Sequence, residues 1–122
     1  MHTEQVSHSH VVILSSGSLF SEGVASRLRE HVGRVQVTLL DPRLPDLSTR
    51  LSSIGPIAVI LDAADPWVVE KCPLNRLLGI LPGARIIELD SQAQQVRVVT
   101  SEQYPAKDVN DLVDVIDGHL PA

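Results

Sequence analysis

Asp41, Asp62 and Asp90 each stand at the end of a short apolar run, and Ser15 and Ser16 end a fourth. Carboxylates gathered along one edge of a fold could hold a hard divalent cation such as Mg²⁺, which takes oxygen ligands and keeps several waters. The competing use of each Asp is to cap the helix or turn that follows it. The segment "SSGS" at 15–18 admits three uses. Its backbone N–H groups could cradle a phosphate or nucleotide at a helix start. It matches neither glycine-rich phosphate motif, however, and no lysine follows it. A serine nucleophile would need a G-x-S-x-G turn with a histidine and an acid downstream. The downstream histidines, His31 and His119, do not follow strand ends. The third use is a structural turn and helix cap. Residues 1–9 read as a disordered tail, and His2, His8 and His10 as solvated histidines in and beside it rather than as a metal site.

The elements that must position these residues follow from the apolar pattern. Residues 10–15, 35–41, 57–62 and 84–90 read as strands. The first and third are nearly continuous aliphatic runs, as in strands buried on both faces of a parallel sheet. Residues 95–100 alternate more, which suits an edge strand with one wet face. Residues 18–32 carry Phe20, Val24, Leu28 and Val32 at helical spacing, with Ser18 as N-cap. A short helix fits 46–54, with Leu47, Leu51 and Ile54 on one side. Pro73 can open a third helix through Leu74, Leu77, Leu78 and Leu81, with Gly83 past its end. Residues 107–117 suggest a fourth, with Val109, Leu112, Val113 and Ile116 inward.

The alternation predicts an α/β fold in residues 10–120, a doubly wound, mostly parallel sheet with helices on both faces. Only "SQAQ" separates the last two strands, and a parallel crossover needs a dozen residues or more. Those strands are therefore expected to form an antiparallel hairpin, in a sheet of order 2-1-3-4-5. That order is the flavodoxin-like one, in which ligands bind outside the carboxyl ends of the strands.

Composition narrows the partners. The chain has 122 residues, 43% of them hydrophobic, enough for one domain with one core. Its aromatics are Phe20, Trp67 and Tyr104 alone, too few for stacking platforms on single-stranded nucleic acid. The net charge is −5 and the basic residues are scattered, so no nucleic-acid groove is expected. No apolar run approaches a membrane span, and residues 1–10 lack the apolar stretch of a signal peptide. The single cysteine, Cys72, fits a reducing cytoplasm.

The stretch "VVILSSGSLFSEGVASRLRE" resembles the opening of a response-regulator receiver domain, of the kind attached to helix-turn-helix output domains. Leu19, Phe20, Glu22 and Gly23 fit its helix start. "AVILDAADP" is similar to the receiver's third strand, so that Asp62 takes the place of the phosphorylated aspartate and Pro66 that of the following proline. "VNDLVDVI" resembles the last receiver helix. The likeness covers roughly residues 10–83 and 105–118.

The departures from that pattern imply the function. The two acids that hold Mg²⁺ in receivers correspond to Ser15 and Ser16, which bring no charge. The hydroxyl residue closing the fourth strand corresponds to Asp90, which would repel an aspartyl phosphate. The lysine closing the fifth strand corresponds to Pro105, with Lys107 two residues on. The hairpin takes the place of the fourth helix. The resemblance thus implies a degenerate receiver, a pseudo-receiver that binds a protein partner without phosphorylation, cofactor or metal and is not an enzyme. Two alternatives are a Rossmann-like domain holding phosphate or nucleotide at Ser15–Ser18, and an atypical receiver still phosphorylated on Asp62 with help from Asp41 or Asp90. Ser15 and Ser16 are expected to donate hydrogen bonds to Asp62. Trp67 and Val68, in a segment read as a loop, are the expected interaction surface.

Overall fold

The computed structural model describes residues 9–31 and 35–100. The expected helix at 107–117, Pro105, Lys107 and the tail at 1–8 lie outside the described residues. The elements run β1 (Ser9–Leu14), α1 (Leu19–His31), β2 (Val35–Leu40), α2 (Leu47–Ile54), β3 (Ala58–Asp62), α3 (Pro66–Lys71), α4 (Leu74–Ile80), β4 (Arg85–Asp90) and β5 (Gln95–Thr100). They build one five-stranded sheet of order β2-β1-β3-β4-β5, the flavodoxin-like arrangement. All pairings are parallel except β4 with β5. The hairpin register sets Asp90 opposite Gln95, and Gln94 takes φ 53° to turn the chain.

Parallel registry decides what reaches the carboxyl edge. Leu14 is level with Leu40 on one side and with Leu61 on the other. The next residues along, Ser15, Asp41 and Asp62, therefore leave the sheet side by side. Asp62 is level with Leu89, so Asp90 stands one residue beyond.

Side chains alternate across the sheet because the strand period is two. Val12, Leu14, Val59, Leu61 and Ile86 face α2, α3 and α4, and meet Leu51, Val68 and Leu77 there. Val11, Ile13, Ala58 and Ile60 face α1 and meet Ala25. Every residue of β3 is buried, as its continuous apolar run requires. Each fully buried Leu or Ile contributes about 2 kcal/mol through water removal. β5 is the edge strand: Val99 packs on the core, whereas Val96 and Val98 are exposed.

Three expectations are corrected. β1 starts at Ser9, and His10 within it bonds Thr38 through Nε2, 2.8 Å from Oγ1, so neither belongs to a tail. The inner stripe of α1 runs through Ser21 and Ala25, with Val24 and Leu28 half-buried and Phe20 exposed. The segment after β3 is a helix, α3, and not a loop. Asp65 caps it and Pro66 occupies its first turn, where a missing N–H costs nothing.

Cys72, just past α3, is buried at 4% exposure. Burial pushes its thiol up to about 11, against a weaker downward pull from Arg76. The thiolate is the reactive form. Alkylation of folded protein at neutral pH is thus expected to run about 100-fold slower than that of protein unfolded in urea. Equal rates in a quenched iodoacetamide time course would contradict this burial. The same shift has a stability consequence. A raised folded value favours the native state below the unfolded value of 9.0, and the benefit disappears as pH climbs through about 11.

Candidate functional site at the carboxyl edge of the sheet

Two buried carboxylates organise this edge, Asp62 at 5% exposure and Asp65 at 6%. Asp62 Oδ2 accepts from the hydroxyls of Ser18 at 3.0 Å and Ser21 at 3.3 Å. Its Oδ1 accepts from the backbone N–H of Ala64 at 3.1 Å. Asp65 Oδ2 accepts from both the N–H and the hydroxyl of Ser16, at 2.6 and 2.7 Å. Its Oδ1 accepts from the N–H of Trp67 at 2.9 Å, closing the cap of α3.

The serine turn is built to deliver those donors. Gly17 sits at φ +107°, a conformation that side chains rarely adopt. Ser15 Oγ accepts from the N–H groups of Gly17 and Ser18, at 3.2 and 3.4 Å, and so folds onto its own turn. Ser18 caps α1 as the sequence predicts, its Oγ accepting from the N–H of Ser21 at 3.0 Å. Ser18 and Ser21 hydroxyls also meet each other at 2.9 Å. The donors to Asp62 are therefore Ser18 and Ser21. Ser15 serves its turn and Ser16 serves Asp65, contrary to the expectation that both would bond Asp62.

Burial opposes the Asp65 charge, but the Ser16 N–H and hydroxyl and the Trp67 and Val68 amides outweigh it and hold the carboxyl below its ordinary range. Among the described residues no buried side-chain polar atom lacks a partner. This edge is thus an internally satisfied network of hydroxyls, amides and two carboxylates.

The other two strand-end acids serve their own turns. Asp41 accepts from Arg43 Nε at 2.9 Å, Nη2 at 2.7 Å and N–H at 2.9 Å. The Arg43 side chain, then its backbone N–H, hold Asp41 down at about 2. Asp90 Oδ1 accepts from the N–H groups of Gln92 and Ala93 inside the hairpin loop. Among the described residues no three His, Cys, Asp or Glu side chains gather as a metal-ligand group. The phosphate-cradle use of Ser15–Ser18 meets a related obstacle. The amides of Ser16, Gly17 and Ser18 already have acceptors, and two carboxylates flank them.

Beside this edge Trp67 is 41% exposed, with the Arg43 guanidinium 5.3 Å from its ring centroid. Val68 is 2% exposed and belongs to the core, so it leaves the expected interaction surface. Helical spacing explains the split: Val68 points at the sheet, and Trp67 and Val69 stay exposed on either side of it.

Asp65 is the residue that sequence reasoning missed. Its signal was the dipeptide Asp65–Pro66, a capping residue followed by a proline suited to the first helical turn. Among the described residues no helix is long and apolar enough to cross a membrane. Comparison of the chain with protein-family models, with curated proteins and with solved structures returns no match.

Proposed function

We propose that this chain is a receiver-like protein-interaction module that acts in cytoplasmic signalling or regulation without being phosphorylated. The observation that supports it most is the closed bonding of Asp62. A working phospho-acceptor needs a cation to neutralise the incoming oxygens and an open oxygen to attack phosphorus. Asp62 instead has both oxygens engaged, by Ser18, Ser21 and Ala64, with Asp65 close by in sequence and equally buried. The docking surface in this reading is Trp67 with Arg43. Trp and Arg are the residues most often found as interface anchors, and Arg43 already holds the indole in place.

The test joins chemistry to binding. Acetyl phosphate with millimolar Mg²⁺ is expected to leave Asp62 unlabelled by mass spectrometry and the melting temperature unchanged. Proteins captured from the native cell are expected to be the same with and without acetyl phosphate, and to be lost with Trp67→Ala but kept with Asp62→Asn. A phosphoryl adduct on Asp62, or capture that depends on acetyl phosphate, would promote the phosphorylated receiver in its place.

A further inference from the structure

A second concavity lies on the α2–α4 side, away from the Asp62 network. It is a cleft of about 230 Å³ between the β2–α2 loop, α2, the end of α3 and α4. Its floor includes Leu51 and Leu77, both buried. Arg43, Lys71 and Arg76 stand around it, and among the described residues no acidic side chain lines it. In a chain of net charge −5 this is a local reversal of sign.

The three cations are not equivalent. Arg43 is offset by Asp41. Lys71 and Arg76 form no salt bridge among the described residues. Arg76 reaches only the Ser48 hydroxyl, 3.4 Å from Nη2, a marginal bond that a better acceptor would replace. Glu70, next to Lys71 in sequence, does not line the cleft, and Asp46 is committed to Arg50 at 3.1 Å. The first turn of α2, which supplies Leu47 and Ser48 to the lining, contains no acidic residue. Two positive charges without a salt-bridge partner among the described residues, and a hydroxyl, thus stand over an apolar floor.

We propose that this cleft binds a small phosphate monoester with a compact apolar body. A dianion matches the charges of Lys71 and Arg76, and a guanidinium pairs with phosphate through two parallel hydrogen bonds. The apolar floor accepts the ester group, and the volume limits that group to about the size of a single ring, below the range of drug-sized pockets.

The test uses phenyl phosphate, with benzoate and inorganic phosphate as the monoanionic and bodiless arms. In amide NMR titrations phenyl phosphate is expected to shift Ser48, Leu51 and Leu77 saturably at millimolar concentration. Benzoate and inorganic phosphate are each expected to bind about tenfold more weakly. Lys71→Ala and Arg76→Ala are each expected to weaken phenyl phosphate about tenfold, whereas Arg27→Ala, an exposed cation on α1, leaves it unchanged. Both cleft cations are exposed, so neither change empties the core. No saturable shift in the unmutated protein, benzoate binding as tight as phenyl phosphate, or equal losses in the Arg27 and cleft variants would each overturn the site.

Discussion

Asp65→Ala is expected to cost about 3 kcal/mol of folding stability, more than any other single change at the carboxyl edge of the sheet. Three hydrogen bonds go at once: those from the Ser16 N–H, the Ser16 hydroxyl and the Trp67 N–H. The acceptor side is buried and the three bonds are part-buried, so their loss leaves donors only partly open to water, which costs more than the bond itself is worth. The loss also propagates. Asp65 caps α3, and α3 carries Val68 onto the sheet. It also ties the turn after β1 to the turn after β3, two segments 49 residues apart in sequence. Asp65→Asn keeps one acceptor oxygen and is expected to cost about 1 kcal/mol. Urea titration followed by the fluorescence of Trp67, the one tryptophan, reads both. An Asp65→Ala midpoint indistinguishable from that of the unmutated chain would remove Asp65 from the network.

The acid limb provides an independent check with a definite sign. The folded Asp65 carboxyl lies below its unfolded value of 3.8. Its contribution is therefore complete above the unfolded value and is lost as pH falls through the folded one. Part of the acid destabilisation of the unmutated protein should accordingly be missing in Asp65→Asn, whose side chain does not titrate.

The unequal legibility of this molecule has physical causes. The sheet was legible because β1 and β3 are buried on both faces and must be apolar throughout, and because a four-residue connection cannot cross between parallel strands. Strand ends were legible for the same reason: once registry is fixed, Ser15, Asp41 and Asp62 must emerge together. Which hydroxyl meets which carboxylate was not. Residues adjacent to a strand end point back into their own turn as readily as across the edge. Ser15 does the former, while Ser18 and Ser21, a helical turn apart, present both hydroxyls to Asp62. The six residues of α3 are too few for a period to show, and "WVV" hides one inward side chain between two outward ones. Only the Asp–Pro pair marked its start.

Ser15→Asp combined with Ser16→Asp is the change with the second large expected effect, because it adds two charges to a closed network. Position 15 is 4% exposed, and its hydroxyl caps the turn that holds Ser18 against Asp62. Position 16 lies within hydrogen-bond distance of Asp65, so a carboxylate there replaces a donor with a like charge. Without metal the double variant is expected to lose about 4 kcal/mol, through repulsion and the lost donors together. Mg²⁺ acts in the opposite direction. The two new carboxylates, together with Asp62 and Asp65, would gather oxygen ligands of the kind a hard cation accepts, and its charge offsets their repulsion. Millimolar Mg²⁺ is therefore expected to raise the melting temperature of the double variant and leave that of the parent unchanged. Ca²⁺ should act in the same direction and K⁺ should not, since charge density drives the effect. The single variants separate the contributions: Ser16→Asp should be the more damaging alone, for it faces Asp65 directly. A parent protein stabilised by Mg²⁺ to the same extent as the double variant would mean that the serine corner already holds a cation, and the network of Ser16, Ser18 and Ser21 would then have to open to admit it.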